Sequence, residues 1–148
     1  MSGKSPAAWV KGIHHIGVAV RDLEASLARW SNLLGAEPSP IEEIPERGVR
    51  LAHLRFSKGP EVELLAPLGV DSPVAKFLER RGEGPQHLTL EVANIAAAMR
   101  GLKSAGVEFT TAKPLSGARG SLIAFVHPRS FSGVLLELRQ ERKTRRAK

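Results

Sequence analysis

The chain of 148 residues contains no cysteine and no tyrosine, and aromatic residues make up only 5% of it. Without cysteine, neither disulfide bonds nor a thiol nucleophile can contribute to the fold or the chemistry. No apolar run approaches the roughly 20 residues that cross a bilayer as a helix. The first dozen residues, MSGKSPAAWVKG, lack the apolar segment of a secretory signal. We therefore expect a cytoplasmic protein that does not bind membranes.

Acidic residues are also too few to balance the basic ones, and the formal net charge is +7. The excess is concentrated in RQERKTRRAK, Arg139 to Lys148, which holds six Lys or Arg against one Glu. Such runs are commonly solvated tails, and the alternative is attraction of a polyanion, either nucleic acid or a phosphate-bearing cofactor. Because the chain lacks an array of aromatic side chains on which bases could stack, we expect no nucleic-acid partner.

The two halves of the chain carry similar patterns. HIGVAVRDL begins at His15 and HLTLEVANI begins at His87, and each is followed by apolar residues at helical spacing. Asp22 follows the first histidine at the same interval as Asn94 follows the second, and both are good N-cap residues. Each helix is predicted to end in a left-handed cap at a glycine, Gly35 in the first half and Gly106 in the second.

Each predicted helix is followed by three runs with the composition of strands. They lie near Ile41 to Ile44, Val49 to Phe56 and Val62 to Leu65, and again near Val107 to Thr110, Leu122 to Val126 and Val134 to Leu138. The sequence therefore predicts an α+β fold made of two βαβββ modules in tandem.

A chain of this length is expected to form one domain. We assign residues 12–140 to it, with modules at 12–68 and 84–140, an N-terminal extension at 1–11 and a basic C-terminal tail at 141–148. Between the modules, Ser72 as N-cap, Pro73 at the first helical position and a stop at Gly82 predict a connecting helix at about residues 71–82.

Four polar side chains occupy matching positions of the repeat. His15 and His87 each lie on the strand face opposite to the apolar residues, and Glu63 and Glu137 each stand alone in an apolar run. Taken singly, each is typical of a solvent-facing strand. Together they predict a divalent-metal site, because imidazole and carboxylate suit Mn, Co, Ni, Zn or Fe. His14 falls on the other face and is predicted not to be a ligand.

The chain resembles the vicinal oxygen chelate superfamily, and within it the methylmalonyl-CoA epimerase family. The resemblance runs from about Gly12 to Gln140. It is carried by HHIGVAVRDLEASL, IPERGVR, EVELLAPLGVDSPVAKFLERRGEGPQHLTLEV and GARGSLIAFVHPRSFSGVLLEL. One departure is Gln86, where many relatives have a second histidine beside the ligand. The resemblance implies a glyoxalase-like fold with a metal site between curved sheets.

The resemblance also implies an activity: epimerisation of (2R)- and (2S)-methylmalonyl-CoA by metal-assisted 1,1-proton transfer at C2 through an enolate. It places His15, Glu63, His87 and Glu137 at the metal, which would be Co²⁺ or Mn²⁺, with Zn²⁺, Ni²⁺ or Mg²⁺ possible. Glu46 of PERGV and Glu137 fall on the acid/base positions. Family members are usually homodimers. Candidates for contacting the coenzyme A phosphates are Arg119, Arg129 and Ser130.

Two other functions are compatible with the same fold. A lyase similar to glyoxalase I would use a comparable His/Glu ligand set on a glutathione hemithioacetal, and an extradiol dioxygenase would use iron with two histidines and one carboxylate. The PERGV segment argues against both enzymes. A non-catalytic small-molecule-binding module of this fold would not need four metal-compatible side chains.

Overall fold

The computed structural model describes residues 9–142, which form three α-helices and nine β-strands. The helices are α1 (Leu23–Leu34), α2 (Pro73–Arg81) and α3 (Ile95–Ser104). The strands are β1 (Val10–Ala19), β2 (Glu37–Pro38), β3 (Glu42–Ile44), β4 (Val49–Arg55), β5 (Glu61–Pro67), β6 (Gly84–Val92), β7 (Leu115–Ser116), β8 (Leu122–Val126) and β9 (Leu136–Gln140). Short 3₁₀ turns at Pro45–Arg47, Ala118–Gly120 and Pro128–Ser130 complete the elements.

The chain divides into two compact units. We call His15–Leu88 the first unit, and Met1–His14 together with Thr89–Lys148 the second unit. Strands β1 and β6 each contribute residues to both units, because the boundaries fall within them. The first unit is therefore one continuous segment, whereas the second is assembled from two.

The first unit packs α1 onto one face of a sheet in which β4 lies antiparallel to β5 and β5 lies parallel to β1. Its core consists of the apolar residues of the helix and of the facing strands, which are Val20, Leu23, Leu27, Ala36, Ala52, Leu54, Leu64 and Ala66. Burying a side chain of this size contributes about 1.5 to 3 kcal/mol. The packing fixes which residues of each strand face the helix, and the alternate residues face the other way.

Helix boundaries follow the local capping chemistry that the sequence predicts. The side chains of Asp22, Ser72 and Asn94 each accept a hydrogen bond from the backbone N–H three residues later. Gly35 ends α1 in the left-handed conformation, with φ of 72°. Beyond α3 the left-handed residue is Gly106, with φ of 91°. These three helix starts and the two glycine stops are confirmed.

The second unit pairs β8 with β9 and with β7, both antiparallel, and buries Val92, Ile95, Met99, Ile123 and Leu138. The Trp9 ring lies directly over Gly101 of α3, where a Cβ would be 1.6 Å from the ring. Gln140 accepts a hydrogen bond from the backbone N–H of Ile95. The packing of α3 thus depends on residues close to both ends of the described chain.

Two expectations from the sequence were wrong. Residues 107–110 are not a strand, and they make only a single bridge between Phe109 and Val126, while the short strand β7 lies at Leu115–Ser116. Arg139 was grouped with the solvated basic run, but it lies in β9 and is 5% exposed. Its guanidinium is 3.4 Å from the carboxylate of Glu91, which explains its burial. The residues after Arg142 lie outside the described part of the chain.

A search of residues 9–142 for a helix long and apolar enough to cross a membrane found none.

Candidate metal centre

Three buried side chains of the first unit converge. The Nε2 atoms of His15 and His87 are 3.2 Å apart, and the carboxylate oxygens of Glu63 lie 3.4 Å from His15 Nε2 and 3.6 Å from His87 Nε2. Each of the three residues is at most 4% exposed. Among the described residues, they form a group whose ligand atoms all lie within 4.8 Å of one another. Sequence reasoning predicted these three as ligands, and the structure brings them together.

Strand pairing places these groups. In the parallel pair of β1 and β5, His15 is the partner of Glu61 and Gly17 is the partner of Glu63. His15 and Gly17 are both buried, whereas Ile16 between them is 41% exposed. At this end of β1 the face that carries the histidine is thus the covered one, although its residues are the less apolar.

Gly17 makes room for the imidazole of His87. A Cβ at position 17 would lie 2.0 Å from Cε1 and 2.3 Å from Nδ1 of that ring, well inside any allowed contact. The His87 ring therefore occupies the space that a side chain would fill at position 17. The glycine is needed here for close approach and not for an unusual backbone angle.

The side chain of Gln86 contacts the ring of His87. Its Oε1 lies 2.5 Å from Nδ1 of the neighbouring ring. In the tautomer in which Nδ1 carries the hydrogen, the amide oxygen accepts from it, and Nε2 then faces His15 and Glu63 with a lone pair that can bind a metal ion. A hydrogen bond of this kind is the usual way in which proteins orient a metal-binding histidine.

Glu63 is surrounded by imidazoles. Besides His15 and His87, the Nε2 atom of His53 donates to Glu63 Oε2 at 2.9 Å. Burial raises the pKa of Glu63, but the attraction of His15, the hydrogen bond from His53 and the attraction of His87 are together stronger and hold that pKa well below its usual range. Glu63 is accordingly a carboxylate in this environment, despite being 4% exposed.

The donor set fits a divalent metal ion. Two imidazole nitrogens and one carboxylate suit Zn²⁺ and its neighbours in the first transition series. When each metal-to-ligand bond is about 2.1 Å, neighbouring ligand atoms of one ion lie roughly 3 to 3.5 Å apart. Here the two imidazole nitrogens are 3.2 Å apart, Glu63 Oε2 is 3.4 Å from His15 Nε2, and Glu63 Oε1 is 3.6 Å from His87 Nε2. A His/Glu/His site of this geometry is able to bind such an ion.

The other two predicted carboxylates are those of Glu137 and Glu46. Glu137 is in β9 of the second unit and is 4% exposed. Glu46 is in the 3₁₀ turn Pro45–Arg47, which Gly48 ends in the left-handed conformation with φ of 65°. Its side chain is exposed and lines a cavity of about 350 Å³ beside the start of α2. Its position leaves the Glu46 carboxylate accessible to a small molecule.

The candidates for phosphate contacts are in the second unit. Arg119 is exposed and has a left-handed backbone, with φ of 56°. Arg129 is also exposed but forms an ion pair with Glu108 at 3.3 Å, and Ser130 Oγ accepts a hydrogen bond from the backbone N–H of Glu108. Arg129 and Ser130 therefore already have protein partners.

Sequence reasoning missed the functional contacts of His53 and Gly17. The signal for His53 was a single histidine among apolar residues of RLAHLRF, on a strand followed by a short turn. In the hairpin of β4 and β5, His53 is the direct partner of Glu63. Reading that register from the turn would have placed the two side chains together.

The chain belongs to the Glyoxalase/Bleomycin resistance protein/Dioxygenase superfamily, whose family model matches residues 14–125. Proteins similar to it within that superfamily include methylmalonyl-CoA epimerases. It is 40% identical over 130 residues to the ethylmalonyl-CoA/methylmalonyl-CoA epimerase of Cereibacter sphaeroides, an alignment that covers 86% of this chain and 96% of that protein.

Solved structures of methylmalonyl-CoA epimerases are also similar to this chain. The crystal structure of methylmalonyl-CoA epimerase from Mycobacterium tuberculosis matches with a TM-score of 0.89 and 34% identity, covering 97% of this chain and 94% of that one. A methylmalonyl-CoA epimerase in complex with methylmalonyl-CoA and NH₄⁺ matches with a TM-score of 0.85 and 34% identity, covering 89% and 95%. The predicted superfamily, the glyoxalase-like α+β fold and the enzyme class, a racemase or epimerase, are confirmed.

Proposed function

We propose that this chain epimerises methylmalonyl-CoA at C2, interconverting the 2R and 2S forms by removing the proton from one face and returning it to the other. The buried group of His15, Glu63 and His87 carries the proposal. It is a divalent-metal donor set in a chain 40% identical to an epimerase of this substrate class. The solved relative bound to methylmalonyl-CoA supports the same substrate here.

The metal would be held by His15, Glu63 and His87, with Glu137 proposed as a fourth ligand. A divalent cation there supplies a Lewis acid that stabilises negative charge on the thioester oxygen when the C2 proton leaves. Co²⁺ or Mn²⁺ is the proposed ion. Imidazole and carboxylate ligands suit both ions, and Zn²⁺, Ni²⁺ and Mg²⁺ are the alternatives.

Proton transfer at C2 needs two acid/base groups, one for each face of the substrate. We assign these roles to Glu46 and Glu137. The exposed Glu46 carboxylate lines a cavity and is accessible to a bound acyl group. Glu137, as a ligand, would be less basic than a free carboxylate, because coordination withdraws charge from it; its second oxygen is the proposed proton acceptor.

Coenzyme A brings phosphate groups that cations or backbone N–H donors can bind. The proposed candidates stay Arg119, Arg129 and Ser130, of which Arg129 and Ser130 also contact Glu108. A homodimer, a cytoplasmic location and the lack of nucleic-acid and membrane partners stay predictions from the sequence.

The test is proton NMR of methylmalonyl-CoA in deuterium oxide. Protein stripped with a chelator and reloaded with Co²⁺ or Mn²⁺ should accelerate loss of the C2 proton signal, and the stripped protein should not. Glu46→Gln should slow the exchange at least tenfold without lowering metal content, since general acid–base groups typically contribute about 10² to 10⁴ in rate. If no metal-loaded sample exceeds the spontaneous exchange rate, the proposal is wrong.

A further inference from the structure

His53 is a buried histidine next to the candidate metal centre, and the sequence analysis did not predict it as part of the site. It is 3% exposed, and its Nε2 lies 2.9 Å from Glu63 Oε2. It does not belong to the group whose ligand atoms lie within 4.8 Å of one another, which consists of His15, Glu63 and His87. His53 therefore contacts a ligand residue without sharing the position of a ligand.

The position of His53 is fixed from several sides. Its backbone N–H donates to Ser39 Oγ at 2.8 Å, and its carbonyl accepts from the Ser39 N–H at 2.8 Å. Its ring meets the ring of His15 edge to face, with centroids 5.4 Å apart and planes at 77°. Strand β4 holds it directly opposite Glu63. A side chain held in this way can orient what it binds.

The need for orientation comes from the carboxylate itself. A glutamate side chain has three rotatable bonds. The two carboxylate oxygens of Glu63 face three imidazoles, and a rotation of the carboxylate would change which oxygen faces which ring. The hydrogen bond from His53 takes one lone pair of Oε2 and thereby selects one rotamer. The carboxylate is then aligned before any ion arrives, which lowers the entropic cost of binding it.

We propose that His53 is a positioning residue of the metal centre, which acts by holding the carboxylate of Glu63 in its ligating orientation. The inference rests on the proposed function, because it presumes that His15, Glu63 and His87 bind a metal. It adds a residue to that site and assigns it a role distinct from ligation and from proton transfer.

The experiment measures Co²⁺ binding directly, without reference to turnover. The Co²⁺ dissociation constant is obtained by competition with a chromophoric chelator, and the visible absorption of the bound Co²⁺ reports its coordination. His53→Phe keeps an aromatic ring but removes the donor, whereas His53→Gln keeps a donor. His127→Phe is the control for loss of a histidine in the second unit.

His53→Phe should weaken Co²⁺ binding by about tenfold or more, the range seen when partners of ligands are removed, and should change the Co²⁺ spectrum. The Co²⁺ dissociation constant of His53→Gln should stay within about threefold of wild type, and that of His127→Phe should equal the wild-type value. In a Glu63→Ala background, His53→Phe should add no further loss, because the group on which it acts is gone. If the His53→Phe variant does not fold, His53→Leu is used instead, because it also removes the hydrogen-bond donor.

The outcomes separate the two proposals. If wild-type protein binds no Co²⁺, the metal site is wrong and the role of His53 fails with it. If wild type binds Co²⁺ and both donor-free variants bind it equally well with the same spectrum, only the positioning role is wrong. The positioning role would also be wrong if His53→Phe lowered Co²⁺ affinity as much in the Glu63→Ala background as in wild type, since His53 would then act on something other than Glu63.

Discussion

Each of the two compact units pairs a carboxylate of its sheet with basic side chains, but the kind of partner differs. In the first unit, Glu63 faces the imidazoles of His15, His53 and His87. In the second unit, the carboxylate of Glu91 faces the guanidinium of Arg139. Both arrangements compensate a charge that would be costly to bury alone.

The difference lies in whether the partner side chain can also bind a metal ion. A guanidinium stays protonated and has no lone pair to offer, so the pair of Glu91 and Arg139 is a permanent structural contact. A neutral imidazole has a nitrogen lone pair that can bind a metal ion, so the imidazoles near Glu63 can act as ligands where a guanidinium cannot. The first unit thus surrounds its carboxylate with side chains that can bind a metal ion, and the second unit pairs its carboxylate with a fixed positive charge.

The sharpest test of this contrast is Gly17→Ala. The added methyl would overlap the His87 ring, so the imidazole must move out of its position. We expect Co²⁺ affinity to fall by roughly a hundredfold, the upper end of the range for disturbed metal shells. The matched control is Gly101→Ala, whose methyl would overlap the Trp9 ring in the second unit. It should alter tryptophan fluorescence and leave Co²⁺ affinity unchanged. An alanine at position 17 that kept wild-type affinity would contradict the close packing described here.

The second unit should respond in stability. Arg139→Leu would leave the Glu91 carboxylate, whose side chain is 26% exposed, without its cation. The cost should be about 2 kcal/mol in the free energy of unfolding, measured by urea denaturation, because water reaches part of the carboxylate. Adding Glu91→Leu should restore most of that loss. If the double variant is no more stable than the single one, the pair is not what holds Arg139 in the sheet.

Gln86→Leu should have an intermediate effect on Co²⁺ affinity at the candidate metal centre. Without an acceptor at Nδ1, His87 no longer has a fixed tautomer, and Co²⁺ affinity should drop about tenfold. Gln86→Glu keeps an acceptor and serves as the control, with an affinity equal to or above that of wild type. Equal affinities for the leucine and glutamate variants would show that the hydrogen bond does not orient the ring.

The smallest effect is expected at an exposed pair. Arg50 donates to both oxygens of Glu24, linking β4 to α1, and this hydrogen bond lowers the pKa of Glu24. A carboxyl whose folded pKa is depressed adds stability above its unfolded pKa, and that stability is lost as the pH falls through the folded value. Arg50→Gln should therefore lower the urea midpoint slightly at pH 7 and less at pH 3. A difference that grows on acidification would contradict this sign.

What the sequence could predict was the local chemistry and the repeat. Asp22, Ser72 and Asn94 cap their helices because an N-cap depends on neighbouring residues alone. His15, Glu63 and His87 were found because they recur at corresponding positions of a duplicated module. The strand expected at residues 107–110 failed because pairing, which a sequence pattern does not specify, decides whether such a run joins a sheet. The burial of Arg139 was missed because it begins a run of charged residues, and its partner Glu91 in β6 is distant in sequence.

The segment from His15 to Leu88 has a genetic consequence. It holds in one uninterrupted stretch the glycine that makes room for His87, the three converging side chains and the two residues that contact them, whereas the second unit needs two separate stretches. A single recombination or duplication event can therefore copy His15, Glu63 and His87 together into another gene. The copied segment would still need the second unit to supply Glu137, the proposed fourth ligand and proton acceptor.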